Sequence, residues 1–128
     1  MKDKKRIILV EDDAAISSLY SEVLEDAGFT VSVAQTVHFA RELINSKTPN
    51  LIILDILLPD QSGLEFLEYL RSQSKFAQLP VIILTVLPEE AAFKKASELG
   101  IHGYLVKSEI TPDVIVQHVK LALSPKTS

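Results

Sequence analysis

Five short apolar runs, each followed by a longer amphipathic stretch, constrain this chain more than any other feature. The runs lie at 6–10, 30–34, 51–54, 80–84 and 103–106. Those at 51–54 and 80–84 hold no polar residue, the pattern of strands buried on both faces. The intervening stretches carry apolar residues at helical spacing. In 14–27 these are Ile16, Leu19, Tyr20, Val23, Leu24 and Ala27; in 37–46 they are Val37, Ala40, Leu43 and Ile44. Further helices are predicted over 64–72, 89–99 and 112–123. Gly28 and Gly100 stand where helix C-terminal caps belong. Thr111 followed by Pro112 reads as an N-cap with proline in the first helical position. Strands that alternate with helices imply an α/β fold: a doubly wound, five-stranded parallel sheet covered on both faces and joined by right-handed crossovers.

At 128 residues the chain is read as a single domain spanning 1–128, with its core at about 5–123. It has no cysteine, which removes disulfides, thiolate zinc sites and cysteine nucleophiles. The net charge of -4 argues against direct nucleic-acid binding. No apolar run approaches the ~18–20 residues needed to span a bilayer. The basic start, Lys2 to Arg6, has no long apolar segment behind it, so no signal peptide is read and a cytoplasmic location is expected.

In a parallel sheet all strands end at one edge, and ligands bind there, at the switch in strand order. The polar residues of this chain follow its strands at that edge. Glu11, Asp12 and Asp13 follow the first strand, Asp55 the third, Thr85 the fourth and Lys107 the fifth. Converging carboxylates repel one another unless positive charge lies between them. Magnesium suits such a site, because it takes oxygen ligands, keeps waters and accepts phosphate oxygens. A carboxylate beside such an ion can attack phosphorus and form an aspartyl phosphate. The metal neutralises charge on the transferring group, and an ammonium and a hydroxyl can hold the remaining oxygens. The rim therefore carries the parts for phosphoryl transfer to an aspartate. Asp13 is read as an acid that offsets the dipole of the first helix, and Asp60 as a residue that shapes its own turn.

Four segments, in order, resemble the receiver domain of two-component response regulators. They are Ile8-Leu9-Val10-Glu11-Asp12-Asp13, residues 54–63 with Asp55 and Gly63, Val81-Ile82-Ile83-Leu84-Thr85, and Gly103-Tyr104-Leu105-Val106-Lys107. The resemblance implies a flavodoxin-like three-layer sandwich of strand order 2-1-3-4-5. It implies that Asp55 is the phosphoacceptor and that Asp12 binds Mg2+ directly, with Mn2+ as the other candidate. Glu11 would reach the metal through water, and the Leu57 backbone carbonyl would be a further ligand. Thr85 would hydrogen-bond the phosphoryl group and Lys107 would pair with it. Tyr104 would be an aromatic switch that swings inward with Thr85. The implied partners are a sensor histidine kinase or histidine phosphotransfer protein, a downstream output, and a second copy across the face of the fourth helix, fifth strand and fifth helix. On this reading the chain is a signalling domain with self-phosphorylation and autodephosphorylation chemistry, not a metabolic enzyme.

Three departures from the family pattern bear on that chemistry. Val86 stands where the family has a small residue, which narrows access and slows transfer. Ser108 stands where the family has proline, often after a cis bond. A non-proline cis bond costs ~3 kcal/mol, which leaves open the isomer of the Lys107–Ser108 bond and the aim of Lys107. Leu57 and Leu87 are both apolar and are expected to influence how water reaches the phosphoryl group. A long-lived phosphoaspartate follows as an expectation.

Two other functions compete. A haloacid-dehalogenase-type hydrolase also uses an aspartyl phosphate, but wants a second aspartate where this chain has Leu57. A pseudo-receiver would bind partners without phosphorylation. No strand is followed by a glycine-rich phosphate loop, which disfavours a nucleotide site. His38, His102 and His118 have no partners at metal spacing and are read as surface residues. The fifth helix carries more apolar residues than one core-facing stripe needs; with Phe93 and Tyr104 they form either a docked core face or a partner surface.

Overall fold

The computed structural model describes residues 4–86 and 90–124. Its strands are β1 (Arg6–Val10), β2 (Thr30–Ala34), β3 (Leu51–Leu54), β4 (Val81–Thr85) and β5 (Gly103–Val106). Its helices are α1 (Ala14–Asp26), α2 (Val37–Ser46), α3 (Gly63–Ser72), α4 (Glu90–Leu99) and α5 (Pro112–Leu123). The strands form one sheet in the order β2-β1-β3-β4-β5, and every pairing is parallel. The parallel sheet is the one expected from the alternation of strands and helices, and its strand order is the one that the receiver resemblance implies.

Side chains alternate across a strand, so the sheet separates two cores. Ile8, Val10, Ile52, Leu54, Val81 and Ile83 face one side, under Val37, Ala40 and Ile44 of α2, Phe66, Leu67 and Leu70 of α3, and Ala92 and Ala96 of α4. Ile7, Leu9, Leu51, Ile53, Ile82, Leu84 and Leu105 face the other, under Tyr20 and Leu24 of α1 and Ile115 and Val119 of α5. β3 and β4 are buried at every residue, as their unbroken apolar runs require. α5 buries Ile115 and Val119, while Val116, Ala122 and Leu123 pack partly against the same core; Leu121 alone of its large apolar residues is widely exposed.

The helix boundaries follow their caps. Gly28 (φ 101°) and Gly100 (φ 95°) sit in the left-handed region just past α1 and α4, as expected from their positions. α1 ends at Asp26, one residue before the expected end, with Ala27 as its cap. α3 starts at Gly63 rather than Leu64, because the Ser62 hydroxyl accepts from Leu64 N and caps the helix. β4 begins at Val81 rather than Pro80 and takes in Thr85. Thr111 is the N-cap residue of α5, with Pro112 inside the first turn. The expected start of α4 at Glu89 lies outside the described residues.

Two long-range ties hold the helices at opposite ends. The Asp60 carboxylate accepts from Val37 N (3.0 Å) and His38 N (2.9 Å), so it caps α2 and does more than shape its own turn. The Arg71 guanidinium, at the end of α3, donates to the carbonyls of Leu99 (3.1 Å), Gly100 (2.7 Å) and Phe76 (3.0 Å). Of the three histidines, His38 and His102 are exposed as expected, but His118 is half-buried on α5.

Desolvation is the largest single influence on the Asp60 carboxyl and works against its charge, yet the amides of Val37, His38, Asp60 and Gln61 together outweigh it and hold the carboxyl below its ordinary value. A depressed carboxylate contributes stability that is present above its unfolded pKa and lost as pH falls through the folded one. Asp60→Ala is therefore expected to lower stability at neutral pH, with the gap to the native protein closing below ~pH 4. Urea unfolding followed by circular dichroism across that range measures it; a gap independent of pH would contradict the role given to the charge.

Candidate functional site

The sheet register brings the polar strand ends together. Val10 pairs with Leu54, Leu54 with Ile83, and Ile83 with Tyr104. Thr85 pairs with Val106, the residue before Lys107. The ladder continues one residue past the strands, through Glu11 N to Ala34 O (2.9 Å) and Asp55 N to Val10 O (3.1 Å). Alternation thus carries Glu11 and Asp55 to the α1 and α5 side of the rim. Both are buried, at 1% and 4% exposure, while Asp12 is exposed.

Lys107 lies between the two buried acids. Its Nζ donates to Asp55 Oδ2 at 2.8 Å and forms an ion pair with Glu11 Oε1. The Lys107–Ser108 bond is trans, since no cis peptide occurs among the described residues, and the ammonium reaches both carboxylates from the start of a short turn, Lys107–Glu109. The remaining oxygens are fixed by backbone: Glu11 Oε2 accepts from Asp13 N (3.1 Å) and Asp55 Oδ1 from Leu57 N (3.2 Å). Asp13 caps α1 by accepting from Ile16 N at 3.0 Å, in keeping with its expected helix-end role.

The electrostatics follow from this burial. Desolvation raises the Glu11 pKa, and the charge of Asp55 adds to it, against the opposing effects of Lys107 and the Asp13 amide. Desolvation works against the charge on Lys107, but the bonds and charges of Asp55 and Glu11 outweigh it, so its pKa is raised. Tyr20 of α1 is buried in the core on the same side of the sheet; burial raises its hydroxyl pKa, opposed by the charge of Lys107.

One oxygen each from Glu11, Asp12 and Asp55 lies within 4.8 Å of the others. Three carboxylates facing one ammonium leave an excess of negative charge, and an all-oxygen donor set of this kind fits a hard divalent cation. Thr85 is fully buried at the end of β4. Around the rim, Leu57 and Val86 are half exposed, at 50% and 52%. Leu87 lies outside the described residues. Tyr104 is half-buried and meets Phe93 of α4 edge-on, with ring centroids 5.5 Å apart.

Two residues of the loop were undervalued in the sequence. Asp60 ties the loop to α2, as described above. Gly63 is demanded by a close approach: a Cβ there would stand 2.0 Å from the Asp55 carbonyl oxygen and 3.0 Å from Ile56 Cα. The same crossing lets Gly63 N donate to Ile56 O at 2.8 Å. Its place eight residues after Asp55 was the available signal.

A doubly wound sheet with an acidic cluster and a buried lysine on its carboxyl rim defines the receiver class of signalling domain. The family model for the response regulator receiver domain matches residues 7–120, and the chain belongs to that family. It is accordingly a phosphorylation-controlled signalling switch. The phosphate regulon transcriptional regulatory protein PhoB of Escherichia coli is 34% identical over 119 residues, 93% of this chain and 52% of that protein. The chain thus spans about half the length of the curated relatives it matches. The BeF3-activated N-terminal receiver domain of RstA from Klebsiella pneumoniae superposes with a TM-score of 0.85 at 30% identity, covering 94% of this chain and all of that one. The Mn(2+)-bound form of the response regulator Rcp1 gives 0.81 at 31% identity, covering 91% of each chain. Among the described residues, no helix is long and apolar enough to cross a membrane.

Gly63→Ala tests the close approach. The clashing atoms are backbone, so the loop must move as a whole. A loss of about 1–3 kcal/mol is expected in urea unfolding, the usual cost of overpacking. A variant of native stability would contradict the crossing described here.

Proposed function

We propose that Asp55 accepts a phosphoryl group in a Mg2+-dependent reaction, from a phosphohistidine of a sensor kinase or phosphotransfer protein. The observation that carries this reading is the contact of Lys107 Nζ with Asp55, within a cluster of three carboxylates on one rim. An Asp55 oxygen forms the new bond to phosphorus as the bond from phosphorus to the histidine nitrogen breaks. The departing imidazole nitrogen keeps that bond's electron pair and takes a proton from solvent. Lys107 neutralises charge on the transferred group, and the Thr85 hydroxyl hydrogen-bonds it.

Glu11, Asp12, Asp55 and the Leu57 carbonyl would hold the metal, Asp12 directly and Glu11 through water. The ion would supply charge neutralisation for the transferring oxygens. Mn2+ is the natural substitute, as the bound form of Rcp1 illustrates for that protein. The oxygen-only donor set supports the assignment. In the further steps, Tyr104 turns inward with Thr85, and the face of α4, β5 and α5 passes the change to an output domain or protein, or to a second copy. The contact of Tyr104 with Phe93 supports a coupling of that ring to α4. A cytoplasmic location and a single domain over residues 1–128 belong to the same reading.

Incubation with Mg2+ and acetyl phosphate, followed by intact mass, tests the acceptor. The native protein is expected to gain one phosphoryl group, and Asp55→Ala none. An equal gain in both would remove Asp55 from the role. Absence of any gain together with absence of Mg2+ binding would favour a phosphorylation-independent module.

The half-exposed Val86 and Leu57 frame the rim with apolar surface. The phosphoaspartate is therefore expected to persist for hours, and Val86→Ala to be phosphorylated faster by acetyl phosphate. Decay within seconds in the purified Mg2+-bound protein, followed by mass, would refute the slow-hydrolysis reading.

A further inference from the structure

The loop of residues 55–63 carries both the acceptor side chain and the Leu57 carbonyl, so its conformation decides whether the rim oxygens converge. It is anchored at three heights. At its base, Asp55 N donates to Val10 O at 3.1 Å. At its exit, Gly63 N donates to Ile56 O at 2.8 Å. Between these, Leu57 and Pro59 are exposed and contribute little packing, while Leu58 is partly buried against the core. Leu57 N donates within the loop, to Asp55 Oδ1 at 3.2 Å, and the polar group that ties the outer stretch to another element is Asp60, whose two carboxylate oxygens take Val37 N and His38 N at 3.0 and 2.9 Å.

The hydrogen bonds of α2 show that this tie is specific. A helix leaves its first four N–H groups without intrahelical partners. Here Ala40 N makes the first intrahelical bond, to Thr36 O at 3.0 Å; of the three helical N–H groups that precede it, Phe39 N donates to Thr36 Oγ1 at 3.0 Å. The remaining two, Val37 and His38, are satisfied from a different part of the chain, by Asp60. Thr36 therefore caps α2 through bonds to that helix's own amides, whereas Asp60 caps α2 and holds the loop in the same act.

We propose that Asp60 is a positioning residue for the site: by clamping the outer stretch of the loop to the N-terminus of α2, it holds the Leu57 backbone and the Asp55 carboxylate in the arrangement that binds the metal. This rests on the reading of Asp55 and its neighbours as a Mg2+ site. Partners that orient metal ligands without touching the ion characteristically change affinity when removed. Coupling is reciprocal, so an ion that favours the ordered loop must also favour the tie to α2.

The test is a titration of MgCl2 into isotopically labelled protein, following the amide signals of Leu57 and Gly63, in five proteins: native, Asp60→Ala, Asp60→Asn, Thr36→Ala and Asp55→Asn. Circular dichroism establishes that each is folded. Asp60→Ala is expected to weaken Mg2+ binding about tenfold, as second-sphere changes commonly do. Asp60→Asn, which keeps one acceptor oxygen, falls between the native protein and Asp60→Ala, and serves alone if the alanine variant does not fold. Thr36→Ala, which also weakens the cap of α2, keeps the native affinity. In the native protein Mg2+ slows hydrogen exchange at Val37 and His38; in Asp60→Ala it does not. Native affinity in folded Asp60→Ala and Asp60→Asn overturns the proposal, as does an equal loss in Thr36→Ala, which would trace the effect to fraying of α2. If the native protein does not bind Mg2+, or Asp55→Asn titrates like it, the underlying reading fails, and this proposal with it.

Discussion

The structure turns on one buried ammonium. Lys107 leaves the edge strand β5, passes the end of β4 and meets acids that follow β3 and β1. A carboxylate taken out of water without a partner is costly, and the penalty usually exceeds what a single ion pair returns at the surface. Two such groups on adjacent central strands therefore require a cation, and the chain supplies it from the far side of the sheet. The arrangement is not fully neutral, since Asp12 adds a third carboxylate oxygen to the cluster. That excess charge makes the rim receptive to a divalent ion. On the proposed reading, Lys107 and such an ion would share Glu11 and Asp55, and the contact of the ammonium with those acids is what the ion would alter.

Much of this was legible in sequence because the fold converts order along the chain into position in space. A parallel sheet places every strand end on one edge, so a polar residue directly after an apolar run is already located. Glu11, Asp55, Thr85 and Lys107 could be assigned to one rim for that reason alone. The strand and helix spans were close for the same reason, with errors of a residue where a side-chain cap, such as Ser62, decides the boundary.

What sequence could not supply were contacts between segments whose spacing has no period. Asp60 and Val37 are 23 residues apart, and nothing local distinguishes an aspartate that shapes a turn from one that caps another helix. Gly63 has an ordinary place in a turn, and only the crossing of its backbone over Asp55 shows why no side chain fits. His118 read as a surface residue because helical periodicity cannot say how deeply α5 settles against β5. Tyr20, within a plain apolar stripe, turns out to lie close enough to feel Lys107 and Glu11.

The Arg71 clamp has a mechanical consequence. Its guanidinium grips the carbonyls of Leu99 and Gly100 at the end of α4, and that of Phe76 in the loop beyond α3. Sliding α4 bodily along the sheet would break all the bonds to α4 together and strand a half-buried cation. Tilting it about Gly100, whose left-handed backbone already marks the corner, would keep them. The helix is in effect a lever with its fulcrum at the end remote from the acids. Any tilt of α4 is therefore widest at its rim end, near Phe93, and nearly vanishes at Leu99.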